Sequence, residues 1–388
     1  MKKDGLRIAI FHHFLSGHCK GGGEKLILQI KDYLKADLWV GEIELESWGE
    51  STQKPDSFTK QLWNGVGKVE WLHTKSNIPV WKYIKRQLYF LYSPKVRQLA
   101  NDYDLVIFSF GNIAFVPQRL KKINPKIKTL AYIHTPPRAF TDQFENKSLE
   151  MPSWKRPLAK IFKNLVLNNL QKTLKSIDIL IANSQNIQRR TNKYLGIMTE
   201  KVIFPACETN LFKYESTGDF YLSHGRLEKM KRIDLIVEAF AQMPDKKLII
   251  TSSGPMKDWV TEQIKTRNLT NIIYEGRVSD ERRSWVMNNC IAGIYIPVDE
   301  DAGITQCEFM SAGKPVIGVN EGGLIETIIP NQTGVLIPEN PNVQDLIKAV
   351  TAMPPEIAIQ MQLNCEKQAK NFDTSVFFKK LDDVIKEL

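Results

Sequence analysis

A chain of 388 residues with 43% hydrophobic and 25% charged side chains holds enough apolar surface for two ordinary domains, each with its own core, and is not a disordered composition. The formal charge of +10 points to an anionic partner, for which nucleic acid, an anionic membrane surface and a phosphorylated substrate all qualify. Five scattered cysteines (Cys19, Cys207, Cys290, Cys307 and Cys365) lack zinc or redox spacing and suit a reducing cytoplasm, and no apolar run is long enough to span a bilayer.

In chain order, Leu6 to Phe11 reads as a first strand, because its apolar run is too short for a signal-peptide core and leads into His12 and His13. His12 to Lys20 is expected to be a loop, Gly21-Gly22-Gly23 a tight turn, and Glu24 to Leu34 a helix with Leu26, Ile27, Ile30 and Leu34 at core spacing. Glycines between strand and helix let a ligand approach the backbone and offer helix-start N–H groups to a phosphate, although the spaced glycines of a dinucleotide fingerprint are missing. Trp39 to Lys75 shows no clear pattern. Val80 to Tyr92 interleaves cations with aromatics and suits a membrane surface, a glycan or an ordinary packed helix.

Leu105 to Gly111 and Thr129 to Ile133 read as buried strands. The second ends in His134-Thr135-Pro136-Pro137-Arg138, where two prolines stiffen the loop that presents His134 and Arg138. Ser153 to Lys175 sets Lys155, Arg156, Lys160, Lys163, Lys172 and Lys175 against Leu158, Ile161, Phe162, Leu165 and Leu167, a second candidate for membrane contact beside the plainer reading of a solvated helix. Ile177 to Ala182 is a strand, Asn183-Ser184 an N-cap start and Gln185 to Tyr194 a helix. The polar run Tyr214 to Asp219 reads as an interdomain link.

The second half opens with the strand Phe220 to His224 and the turn Gly225-Arg226-Leu227. Arg226 and Lys231 flank the turn into a helix, where a guanidinium fork and a mobile ammonium can neutralise a diphosphate. Lys247 to Thr251 ends in Ser252-Ser253-Gly254-Pro255, a turn suited to a phosphate or ribose, and Ile272-Ile273-Tyr274 precedes Glu275 to Ser279. Ile294 to Thr327 then forms a strand-helix-strand unit: a strand end at Ile294 to Pro297, an acidic turn Asp299 to Gly303, a helix Ile304 to Ala312, and Gly313-Lys314-Pro315 leading into Val316 to Val319. Glu300 and Glu308 stand eight residues apart. At helical rise that spacing is roughly 12 Å, about the reach of a nucleotide sugar. Between them, the N–H groups of Ala302, Gly303 and Ile304 open the helix. Gly334 to Glu339 closes a sheet, and Val343 to Leu388 is helical with an interruption at Pro354-Pro355.

Glu300-(seven residues)-Glu308, Ser311-Ala312-Gly313-Lys314-Pro315-Val316-Ile317, Glu321-Gly322-Gly323 and Gly225-Arg226-Leu227 with Lys231 together resemble the retaining, GT-B fold glycosyltransferases of family 4 (glycosyl transferases group 1). The His134 to Arg138 loop is similar to that of bacterial and archaeal O-antigen or exopolysaccharide mannosyltransferases. The resemblance implies an α/β architecture of two Rossmann-like domains facing across a cleft: an acceptor domain over 1–212, a nucleotide-sugar domain over 213–365, and a helix over 366–388 that crosses back to the first. It implies a pyrophosphate clamp of Arg226 and Lys231, sugar hydroxyls on Glu300, ribose on Glu308, and His134 near the reacting sugar or phosphate. Donor contacts would come from Gly22, Gly23, Arg138, Ser253, Gly254, Arg277, Val278, Ala302, Gly303 and Ile304, with the Arg277-Val278 backbone at the base edge.

The implied reaction moves a sugar with retention from a nucleotide diphosphate to a glycan or lipid-linked acceptor, with a lean toward mannose from GDP-mannose. A front-face, oxocarbenium-like path is implied, with no cofactor and no metal. Asp299-Glu300-Asp301 also spells the Asp-x-Asp metal motif of the other large glycosyltransferase fold, but two cations already supply the charge a metal would. The implied location is the cytoplasm, peripheral on the inner face of the membrane. Two rivals remain: a non-transferase GT-B enzyme such as a nucleotide-sugar epimerase or phosphorylase, and a nucleic-acid-binding protein, which is not expected because no recognisable module accompanies the charge.

Overall fold

The computed structural model describes residues 5–16, 22–44, 69–71, 88, 92–109 and 115–388. Most of the aromatic-basic segment 80–92, together with Gly21 and Gly111, lies outside them. The chain divides into two compact units, Met1–Ile203 with Lys380–Leu388, and Phe204–Lys379. The sequence reading put these divisions at 212/213 and 365/366.

The first unit holds a parallel sheet of β1 (Ile8–Ser16), β2 (Asp37–Glu44), β3 (Val69–Trp71), β4 (Leu105–Ser109), β5 (Lys128–Ile133), β6 (Ile179–Ala182) and β7 (Lys201–Val202), in the order β3-β2-β1-β4-β5-β6-β7. The near-continuous apolar runs of β4 and β5 are buried on both faces, as a parallel sheet covered by helices requires. Strand order reverses where β1 lies beside β4, and ligands of such sheets bind beyond the carboxyl ends at that point. β1 runs on through His12 to Ser16, past the loop start expected at His12. The following helix, Gly22–Leu34, begins two residues early, so Gly22 and Gly23 occupy its first turn. Tyr33 donates to Asp382 at 2.6 Å and Lys201 to Glu387 at 2.8 Å, which ties the end of the last helix, Thr374–Lys386, to this unit.

The second unit repeats the winding with β8 (Phe220–His224), β9 (Lys247–Thr251), β10 (Ile272–Gly276), β11 (Gly293–Ile294), β12 (Val316–Val319) and β13 (Gly334–Ile337), in the order β10-β9-β8-β11-β12-β13. Its switch point lies between β8 and β11. The seven-residue helix Thr305–Ser311 rests on β11 because Gly293 has no side chain: a Cβ there would stand 2.4 Å from the Phe309 ring. The helix is one residue shorter at each end than the sequence pattern suggests.

Tyr214 to Asp219 is not a link between units; it is part of the second unit's packing. Glu215 accepts from Asn288 and Asn289 at 3.0 and 2.9 Å, Ser216 donates to Asn289 at 2.7 Å, and the buried ammonium of Lys314 donates to the Ser216 carbonyl and lies 4.2 Å from the centre of the Tyr214 ring. Burial brings the Lys314 pKa down to about 8. Polarity suggested a solvated connector, but here it marks a network that satisfies buried helix ends. Among the described residues no helix is long and apolar enough to cross a membrane.

Candidate functional site

Beyond the carboxyl end of β8 the chain turns through Gly225, Arg226 and Leu227. The turn is braced from behind. Leu227 N–H donates to the Ser253 carbonyl at 3.1 Å, Met256 N–H donates to the Leu227 carbonyl at 2.9 Å, and a Cβ on Gly254 would stand 2.4 Å from that same carbonyl oxygen. Ser253 and Gly254 therefore hold the turn through their backbones. Arg226 is exposed; its carbonyl accepts from Glu228 N–H at 2.9 Å, and its guanidinium makes no hydrogen bond or ion pair among the described residues. With Ser223, His224, Lys231 and Tyr295 it lines one small cavity.

Lys231 donates to Glu300 Oε2 at 2.5 Å and to the Tyr295 hydroxyl at 3.0 Å. Burial alone would lower this ammonium, but Tyr295 and Glu300 outweigh it and hold the group above the ordinary lysine range. The cation is thus permanent, and it is fixed rather than mobile. One of the acidic pair therefore meets one of the basic pair within the same site, an arrangement that the spacing of neither motif reveals.

The loop carrying Glu300 is held by residues to which the sequence reading assigned no role. Arg232 adopts φ +50°, and its guanidinium donates to the carbonyls of Ile296 and Pro297 at 2.9 and 3.1 Å and to Glu321 Oε1 at 2.6 Å. The other Glu321 oxygen accepts from Asp299 N–H at 3.0 Å, and Gly323 N–H donates to the Glu300 carbonyl at 2.7 Å. A Cβ on Gly322 would lie 2.5 Å from the Glu300 nitrogen. Glu321-Gly322-Gly323, legible only as a motif, is the bed on which the acidic turn lies.

Ala302, Gly303 and Ile304 lead into Thr305–Ser311, and Gly303 takes φ +75°. A side chain there would collide with Gln306, which is buried and donates to the Ala302 carbonyl at 2.8 Å and to Thr327 Oγ1 at 3.1 Å. Glu308, further along the helix, lies 3.7 Å from the Arg283 guanidinium. Arg283 also acts on His224, whose Nδ1 is 2.8 Å from Thr251 Oγ1. Burial first, then the Arg283 charge, bring that histidine down to about 4. Arg277 is exposed and Val278 half-buried. They follow Gly276 at φ +69°, whose carbonyl accepts from Ser252 N–H at 2.6 Å, so it is the backbone geometry here that is built.

In the first unit, the His134 ring lies edge-on to Tyr132, its Nε2 is 2.9 Å from Ser109 Oγ, and a Cβ added to Gly23 would stand 3.5 Å from its Nδ1. His134 and Gly23, expected to serve one site, are neighbours. Gly22 lies beside them at the helix start. Burial, then the neighbouring His12, bring His134 down to about 3, so the imidazole is neutral at physiological pH. Arg138 is committed elsewhere: it pairs with Asp142 at 2.8 Å, and Asp142 pairs with Arg190 at 2.8 Å. These three residues form an internal triad in which Asp142 is shared between Arg138 and Arg190.

Both histidines bind fewer protons folded than unfolded between their depressed values and about 6.5. Their contribution is full above the unfolded value and is lost as pH falls toward 3 to 4. Each should steepen acid destabilisation by up to about 1.4 kcal/mol per pH unit in that window. His224→Gln is expected to show a shallower fall of thermal midpoint from pH 6.5 to 4 than the parent chain. Parallel curves would contradict a neutral, buried His224.

Residues 210–372 match the family model described as glycosyl transferases group 1, and residues 21–204 match glycosyltransferase family 4. The chain is 30% identical over 208 residues to the alpha-1,3/1,6-mannosyltransferase ALG2 of Dictyostelium discoideum, covering 47% of this chain and 49% of that one. It is 22% identical to the O-antigen chain mannosyltransferase C of Escherichia coli, over 67% and 68% of the two chains. Against ALG2 of Dictyostelium discoideum and of Mus musculus the chain spans about half of the relative's length. Anabaena Alr3699/HepE, solved in complex with UDP and glucose, has the same fold, with a TM-score of 0.72 at 18% identity over 98% of this chain and 100% of that one.

Proposed function

The chain belongs to the glycosyl transferases of group 1, family 4, and from that premise we propose that it transfers a hexose with retention from a nucleotide-diphosphate donor, mannose from GDP-mannose, to a glycan or lipid-linked acceptor. The single observation carrying this is the Lys231–Glu300–Tyr295 cluster beside the exposed Arg226 at the switch point of the second sheet. In this reading Arg226 and Lys231 receive the diphosphate, Glu300 the sugar hydroxyls and Glu308 the ribose. The turn at Ala302 to Ile304 supplies N–H groups to the donor. Mannosyltransferases on both sides of the comparison support the choice of mannose.

As C1 parts from the β-phosphate oxygen, the bonding pair goes to the diphosphate, where Arg226 and Lys231 stabilise it. The acceptor oxygen bonds C1 on the same face, and its proton passes to the departing phosphate. In the first unit, His134 is neutral and hydrogen-bonded to Ser109. We assign no metal to this chemistry, because Lys231 already occupies the Glu300 carboxylate that an Asp-x-Asp site would need. Turnover is expected to persist in EDTA, and strict manganese dependence would overturn the metal-free reading.

We place the reaction in the cytoplasm, a choice supported by the buried free thiols of Cys207, Cys290, Cys307 and Cys365. Thermal-shift measurements with GDP, UDP and dTDP sugars test the donor. GDP-mannose should raise the midpoint most, and selective stabilisation by a UDP sugar would replace it. Release of free GDP only when acceptor is present separates transfer from epimerisation.

A further inference from the structure

The helix Asp280–Asn289 in the second unit opens with two consecutive arginines that the fold uses differently. Ser279 caps the helix: its hydroxyl accepts from Arg282 N–H at 3.2 Å, and its carbonyl accepts from Arg283 N–H at 2.9 Å. Arg282 is tied down. Its Nε and Nη2 donate to the two oxygens of Glu275 at 3.0 and 2.5 Å, and its guanidinium lies over the Trp285 ring. Arg283 is the more buried of the two, with 21% of its side chain exposed against 40% for Arg282.

No hydrogen bond fixes the Arg283 guanidinium among the described residues. Nη1 lies 3.7 Å from Glu308 Oε1, Nη2 lies 3.7 Å from Asp280 Oδ1, and Nε is buried without a partner among the described residues. The guanidinium carbon stands 5.3 Å from the centre of the Phe212 ring, which belongs to the core of the unit, so packing sets the plane of the fork. An unpaired buried donor costs stability, so stability alone does not account for an arginine here. Asp280 is 88% exposed and its attraction is weak, whereas Glu308 is 13% exposed, where solvent screens little. Arg283 also acts on His224, which lines the cavity beside Arg226, so its charge is felt within the candidate site.

Resting on the reading that Glu308 takes the ribose, we propose that Arg283 is a positioning residue that aims the Glu308 carboxylate at the 2′- and 3′-hydroxyls of a ribonucleotide donor and so sets the preference for ribose over deoxyribose. Two carboxylate oxygens can accept from the two hydroxyls of a diol only if the carboxylate is held at one angle. Arg283 does this by charge. At 3.7 Å it attracts Glu308 without taking a hydrogen bond from Oε1, so the arginine itself leaves that oxygen's lone pairs to a hydroxyl. A neutral side chain at this place would fill the space but not hold the carboxylate.

The test is titration calorimetry of GDP, UDP and their 2′-deoxy forms against the full chain and its variants. The parent should bind its preferred ribonucleotide at least about tenfold more tightly than the deoxy form, the worth of a hydrogen bond to a charged group. Arg283→Met should weaken the ribonucleotide by about tenfold and leave the deoxy form nearly unchanged, so that the ratio falls toward one. Adding Glu308→Gln to Arg283→Met should bring little further loss, because the two residues act as one unit. Arg283→Gln keeps polarity without charge; it should behave like Arg283→Met and decides the matter if the methionine variant does not fold. Arg283→Lys should restore part of the ratio. An arginine that only supported the fold would, when replaced, weaken both forms alike, and that result would overturn the proposal. So would an undiminished ratio in Arg283→Met and Arg283→Gln alongside a ratio lost in Glu308→Gln, which leaves the ribose role of Glu308 standing. A parent that binds neither ribonucleotide, or does not distinguish ribose from deoxyribose, would overturn that role and the proposal with it.

Discussion

Arg226→Ala is expected to lower kcat by about a hundredfold to a thousandfold, the loss typical when one preorganised donor to developing charge is removed. Among the described residues the guanidinium is exposed and unpaired, so the substitution breaks no contact there and leaves the fold and its thermal midpoint unchanged. Its neighbour Lys231 cannot compensate, because that ammonium is already shared between Glu300 and Tyr295. Glu308→Ala should act differently. A ribose contact is the same in ground and transition states, so its loss raises KM with a much smaller change in kcat. Steady-state kinetics on the two variants check this division of labour, and equal losses of kcat would remove it.

Glu321→Ala is expected to destabilise the second unit by about 3–5 kcal/mol, the range found when one partner of a buried ion pair is deleted. The side chains of Arg232 and Glu321 are only 11 and 9% exposed, so the arginine would be left charged and uncompensated, and Asp299 N–H would lose its acceptor. Activity should fall as well, because the loop that aims Glu300 at Lys231 is released. Arg232→Met combined with Glu321→Met should recover much of the stability, since no stranded charge remains, but not the activity, since the loop is still unheld. Calorimetry followed by kinetics separates the two effects. A thermal midpoint for Glu321→Ala equal to the parent's would contradict the bracing role.

Strands were the most legible feature of the sequence. β5, β9 and β12 are short apolar runs ended by turn residues, and their bounds fall within a residue of the pattern. The helix starts were less legible: Gly22 and Gly23 read as turn formers, yet sit in a helical first turn. Lys231 and Glu300 were recognisable as separate motifs, but not their ion pair. That pair depends on β8 and β11 lying side by side, a tertiary fact that separation along the chain hides. Arg232 could have been suspected only from its place beside Lys231, because nothing local announces a left-handed arginine reaching Glu321. The pairing of Arg138 with Asp142, four residues on, was likewise not legible in the loop sequence.

The account rests on Arg226 and Lys231 gripping a diphosphate, and titration calorimetry of GDP and GMP against the parent chain and Arg226→Ala tests it most directly. The parent should bind GDP more tightly than GMP, and Arg226→Ala should lose at least about tenfold in GDP affinity while its GMP affinity barely changes, the signature of a charge-assisted contact to the terminal phosphate. Equal GDP affinity in the two proteins, or an equal loss for both nucleotides, would contradict it.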